Sequence, residues 1–194
     1  MRARKVDCSY AEFLFLFPYC TKELQEELLQ RLRSQPRPSV LCGRAVPESL
    51  YELSYGVLDD LRSAVSAKDP LSEVVRVLLG AGPEELMRAD VNDVFGFFAF
   101  VQREIEKINK LFKGIHHSYS KEEEAAGVRE LDFGTFGVLD WYARRMGITN
   151  QNEVRDVAWV RIYQCIKNDN LQAEYERRLQ KQYMEKSKAR TKRR

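Results

Sequence analysis

Few residues in this chain could do chemistry, and each has an ordinary alternative. Asp132-Phe133-Gly134 spells the tripeptide that holds magnesium in kinase active sites. Nothing else of that apparatus is present: there is no glycine-rich phosphate loop and no His-Arg-Asp, and the chain is too short. Glycines 134 and 137 read instead as loosening a helix start or permitting close packing. His116 and His117 are the only histidines, and adjacent residues do not share a helix face. No cysteine or carboxylate stands at a spacing that would complete a four-ligand site with them. Glu122 to Glu124 reads as a solvated acidic face. Cys165 has no histidine on its own helix to activate it, and Asp59-Asp60 has no identifiable partner acid. The sequence therefore predicts no catalytic residues, no metal site and no cofactor, and a protein that is not an enzyme.

What the chain has instead is aromatic and basic. Trp141, Tyr142, Trp159 and Tyr163 are interleaved with Arg144, Arg145, Arg155 and Arg161. Such a cluster suits a nucleic-acid surface that stacks bases and meets phosphates. It equally suits a protein interface, where Trp, Tyr and Arg are the usual anchors, or a core with snorkelling arginines. Trp141, Tyr142, Arg145, Trp159, Arg161, Tyr163 and Tyr175 are the candidate partner-binding residues. Charge is unevenly placed. Residues 171–194 hold nine Lys/Arg and three acids, a net +6, which leaves −3 on the other 170 residues of a chain whose total is +3. Lys186, Lys188, Arg190, Lys192, Arg193 and Arg194 are candidate contacts to phosphate or to an acidic patch.

The elements that must position these groups read as helices throughout. Hydrophobic residues make up 44% of the chain and charged residues 31%, enough for a core and for heavily charged outer faces. Residues 10–17 form a short apolar helix stopped by Pro18, and Thr21 caps a helix over 22–34 with Leu24, Leu28, Leu29 and Leu32 in one stripe. A proline-rich loop occupies 34–47, and Pro47 opens a helix to about 67. Asp69-Pro70 starts a helix ending at Gly80, and Gly82-Pro83 starts a short one to 88. Asp90 caps a long apolar helix over 91–112, with Val94, Phe95, Phe98, Ile105, Ile108 and Phe112 at helical spacing. A second loop over 114–128 contains the capping pattern Ser120-Lys121-Glu122-Glu123.

Residues 135–146 form a helix ended by Gly147, in which Phe136, Leu139, Ala143 and Met146 share a face. Thr149 or Asn150 opens a short helix, and Asp156 caps another over 157–167. Asn168-Asp169-Asn170 reads as a break or kink before a last helix over 171–186, with Leu171, Tyr175, Leu179 and Tyr183 four apart. No strand pattern is evident. The expected fold is all-α: an irregular multi-helix bundle with a central buried helix. It forms a single domain over 1–186, with mobile loops near 34–47 and 114–128, and a disordered basic tail over 187–194.

Four cysteines without close pairs imply reduced thiols. The apolar run at 13–17 is too short for a secretory core, and no stretch is long enough to span a bilayer. A cytoplasmic protein without membrane contact is expected.

Three stretches carry a family likeness. They are Leu131-Asp132-Phe133-Gly134-Thr135-Phe136-Gly137-Val138-Leu139-Asp140-Trp141-Tyr142-Ala143-Arg144-Arg145-Met146-Gly147-Ile148, Ala158-Trp159-Val160-Arg161-Ile162-Tyr163-Gln164-Cys165, and Glu104-Ile105-Glu106-Lys107-Ile108-Asn109-Lys110-Leu111-Phe112. Together they resemble the small helical tail-morphogenesis proteins of Bacteroidetes-type prophages and bacteriophages. The resemblance implies a tail assembly chaperone, a virion-assembly factor that holds a long helical tape-measure protein in the bacterial cytoplasm. It implies no catalytic residues. Expected partners are therefore a protein, such as a tape-measure or other tail protein, and further copies of the chain. Nucleic acid at the basic tail is the alternative.

Overall fold

The computed structural model describes residues 5–115, 119, 121–131 and 133–191; for Arg129 and residues 189–191 the description covers the backbone alone. His116, His117, Ser120, Asp132, Lys192, Arg193 and Arg194 lie outside the described residues. The chain is mostly helical, as its punctuation requires, with two very short strands. The backbone groups into two compact units, Met1–Asn109 and Lys110–Arg194.

The first unit begins with α1 (Tyr10–Leu16), capped by Ser9 and Glu12, which satisfy each other's backbone amides. A 3-10 turn over Phe17–Tyr19 carries Pro18, and α2 (Lys22–Arg33) follows with Thr21 as its cap. The loop after α2 is built, not open. Two short strands, β1 (Val40–Leu41) and β2 (Arg44–Ala45), pair antiparallel across Cys42-Gly43. Both turn residues have positive φ, 51° and 70°, the geometry of the tight turn that matches strand twist. The Arg37 guanidinium donates to the carbonyl of Val46 at 2.9 Å and lies 5.7 Å from the centre of the Phe100 ring. Leu41 and Val46 are buried beneath the hairpin.

Next come α3 (Tyr55–Val65), α4 (Pro70–Leu79) and α5 (Pro83–Met87). Pro47 does not open α3; Ser54 does, its hydroxyl accepting from the amide of Val57. Residues 47–53 remain irregular while Leu50 among them is fully buried, so burial there is carried by a loop. Asp69 and the left-handed Gly80 bound α4 as expected, and α3 packs on α4.

The long helix α6 (Val91–Gly114) contains the boundary between the units. Its most buried stripe is Val94, Phe97, Val101, Ile105 and Ile108, with Phe95 and Phe98 only half-buried. At Gly96 a Cβ would sit 2.2 Å from the carbonyl oxygen of Pro36, so the loop after α2 presses on the helix at that point. Asn92 ties the N-terminal segment down, accepting from the amide of Val6 at 2.9 Å and donating to its carbonyl at 2.7 Å.

The second unit contains the end of α6, then α7 (Lys121–Ala125), a 3-10 turn over Val128–Glu130, and α8 (Gly134–Met146). Gly147 terminates α8 in the left-handed conformation, and a 3-10 turn over Gln151–Asp156 packs against it. The last helix, α9, runs unbroken over Trp159–Thr191. The helix continues through residues 168–170, where a break or kink was expected, and the side chains of Asp169 and Asn170 bond away from their own backbone. Asp169 pairs with Arg145, and Asn170 donates to the carbonyl of Ile115. The helix begins at Trp159, two residues later than expected, and continues through 187–191, where disorder was expected.

Candidate protein-binding site

The aromatic cluster of the second unit divides into core and surface. Trp159 and Tyr142 are each 1% exposed, and Leu139, Ala143, Val154 and Ile162 are buried with them. Phe112 meets Trp159 and Tyr163 with ring centres 6.0 and 5.5 Å apart. Tyr142 and Trp159 therefore cannot stack on a base or enter a partner; they hold α8 and α9 in place. Tyr163 is half-buried against Phe112, and Arg161 is exposed on α9. Arg145 is already engaged, because it pairs with Asp169 and lies 5.8 Å from the Trp141 ring centre. Tyr175 is 58% exposed. Lys186 and Lys188 are exposed on α9, the side chain of Arg190 is not described, and Lys192, Arg193 and Arg194 lie outside the described residues.

The surface that stands open is at the start of α8. Phe133 precedes the helix and is 65% exposed, and Leu131 and Phe136 are exposed beside it. Two cavities meet at Phe133 and Gly137. One, of about 350 Å³, is lined by Leu131, Val138, Trp141 and Ile166, with Asp169 and Asn170 at its polar edge. The other, of about 450 Å³, adds Phe136, Asp140 and Arg144. Phe133 thus forms a ridge between two largely apolar grooves, each edged by a carboxylate. Those carboxylates are paired with neighbouring arginines, Asp140 with Arg144 at 2.9 Å and Asp169 with Arg145. Gly137 makes the ridge possible, since a Cβ at that position would lie 2.9 Å from the Cβ of Phe133.

No family model, curated protein or solved structure matches this chain. The site therefore rests on its own geometry. Among the described residues no group of three or more His, Cys, Asp or Glu is placed to hold a metal ion. Among them, too, no helix is long and apolar enough to cross a membrane. The described cysteines are unpaired in disulfides, and burial, with Glu12, Asp90 and Asp7 nearby, pushes the Cys8 thiol above its usual pKa.

Phe133 is not legible as a site residue in the sequence, because its exposure depends on which elements fold beside it. Phe136 and Met146, expected on one face of α8 with Leu139 and Ala143, are exposed, while Leu139 and Ala143 are buried. The covering turn explains this. Gln151 donates to Asp140 at 2.6 Å, and the amide of Ile148 donates to Ala143, so the turn shields the middle of α8 and leaves Phe136 uncovered.

Proposed function

We propose that this chain is a non-catalytic binding protein that holds an amphipathic helix of a partner protein in the paired grooves around Phe133. The observation that carries this reading is the exposed Phe133 ridge with an apolar groove on either side. A helix presenting apolar side chains at i, i+3 or i+4, and i+7 recognises such a surface, because its anchors can straddle a ridge and fill both grooves.

The resemblance to tail assembly chaperones is consistent with this chemistry, since a tape-measure protein is a long series of amphipathic helices. On that reading the chain keeps its partner soluble until assembly and acts in the cytoplasm of a bacterial host. Nucleic-acid binding by the aromatic cluster is the weaker reading, because Trp159 and Tyr142 are enclosed and Arg145 is already paired; binding through the basic C-terminal tail is the alternative.

The test is co-expression with a long protein of the tape-measure type, built from amphipathic helices. The expected result is a complex that survives purification and a gain in partner solubility, both lost with Phe133→Ser at unchanged thermal stability. No complex, or a complex indifferent to Phe133→Ser, would overturn the reading.

A further inference from the structure

The last helix changes character along its length. Trp159 and Ile162 near its start are buried, whereas from Leu171 to Lys188 every side chain is exposed. This later part is an arm, with side chains presented on all sides. It also holds the positive charge of the chain. Residues 177–194 contain nine Lys/Arg and one acid, Glu185, a net +8, so the other 176 residues carry −5. Like charges at that density repel one another in water. A polyanion relieves the repulsion and releases its own condensed counterions on binding.

The arrangement of the charges selects the polyanion. At about 100° per residue, Arg177, Lys181 and Lys188 fall within about 40° of one another and form a basic line along the arm. Gln180, Met184 and Ser187 border the line on one side, and Glu174 and Glu185 on the other. Tyr175, Leu179, Tyr183 and Lys186 occupy the opposite side of the helix. A lipid surface does not fit. Lying on its apolar side, the helix would hold the basic line away from the headgroups; lying on the basic line, it would insert little apolar surface. A flat acidic patch of a protein would meet the line and leave Lys186 in water on the far side. The major groove of B-DNA is about 12 Å wide and admits a helix about 10–12 Å in diameter, with phosphates along both walls. There Arg177, Lys181 and Lys188 face one wall, and Lys186 with the hydroxyls of Tyr175 and Tyr183 faces the other. Residues 171–191 span about 31 Å as helix, ample to traverse the groove. The major groove of double-stranded RNA is too deep and narrow to take it.

We propose that the C-terminal arm of α9 binds double-stranded DNA, lying in the major groove and held by phosphates on both of its walls. The contacts are to the backbone, so binding needs no particular base sequence. This inference does not rest on the grooves around Phe133.

The test is fluorescence anisotropy of a labelled, mixed-sequence DNA duplex of about 20 base pairs titrated with the full-length protein. An RNA duplex of the same sequence and phosphatidylglycerol vesicles serve as competitors. Wild-type protein is expected to bind DNA at low salt and to lose at least about a hundredfold in affinity between about 50 and 200 mM salt. The triple variant Arg177→Gln, Lys181→Gln, Lys188→Gln should lower the slope of log affinity against log salt by about 3, and Lys186→Gln alone by about 1. Glutamine keeps the helix propensity, so the far-ultraviolet circular dichroism of both should match wild type. A control with the same change of charge, Lys22→Gln, Arg33→Gln, Arg103→Gln, alters exposed residues of the first unit and should leave the slope unchanged. The proposal is overturned by no binding to DNA at low salt, by equal slopes for the arm and control variants, or by a Lys186→Gln slope equal to wild type. Tighter binding to the RNA duplex or the vesicles than to DNA would overturn it too.

Discussion

Replacing Gly96 with alanine tests the packing of the first unit at its tightest point. Gly96 lies in the middle of α6, where alanine would ordinarily stabilise a helix by about 1 kcal/mol. Here the added Cβ would fall 2.2 Å from the carbonyl oxygen of Pro36. That is about 1 Å short of the roughly 3.3 Å at which carbon and oxygen normally meet. The obstacle is backbone, and the proline pair Pro36 and Pro38 with the Arg37 hydrogen bonds leaves it little room to retreat. Overpacking of this kind costs about 3 kcal/mol at the upper end of its usual range, so the net loss is about 2 kcal/mol. For a chain of this size that lowers Tm by about 4–8 °C. Thermal unfolding followed by far-ultraviolet circular dichroism measures it. Gly114→Ala in the same helix meets nothing within 4 Å, so it should leave Tm unchanged or raise it slightly. A Gly96→Ala protein as stable as wild type would show that the Pro36 loop does not press on α6, and the account of the first unit would fail.

Asn92→Ala removes two hydrogen bonds to Val6 from a side chain that is almost fully buried, and should destabilise by about 2 kcal/mol while speeding hydrogen exchange at the Val6 amide. Unchanged exchange would show that the N-terminal segment is held by other contacts. Cys42→Asn places a residue suited to positive φ before Gly43 and should stabilise by about 0.5–1 kcal/mol, read as a higher urea midpoint; a lower midpoint would count against the tight turn. Gly137→Ala sets a gain of about 1 kcal/mol in helix propensity against displacement of an exposed phenylalanine, so Tm should stay near wild type. Partner binding by the grooves should nonetheless weaken, which titration with a partner helix would detect. Because burial and neighbouring carboxylates raise the pKa of Cys8, its alkylation should be slow at neutral pH and accelerate above its usual range. Fast alkylation at pH 7 would show the thiol to be open.

The sequence by itself determined the helices that have local punctuation. Thr21, Asp69 with Pro70, Gly80, Gly82 with Pro83, Asp90 and Gly147 each act within a turn of their own position, so their meaning needs no distant residue. Where the deciding partner is far along the chain, local reading failed. Asn168-Asp169-Asn170 has the composition of a break, but Arg145 and the Ile115 carbonyl take up its side chains, and α9 continues. The loop after α2 reads as open by composition, yet Gly96, Arg37 and the Cys42-Gly43 turn fix it.

The candidate site shows the same division. The sequence left Trp159 and Tyr142 open between core and surface, because an aromatic residue on a helix suits either. Only the fold decided that Trp159 and Tyr142 are enclosed, since that depends on which elements fold back over them. The same folding leaves Phe133, Phe15 and Tyr19 uncovered, and exposure, unlike helicity, is a property of neighbours that lie distant in sequence.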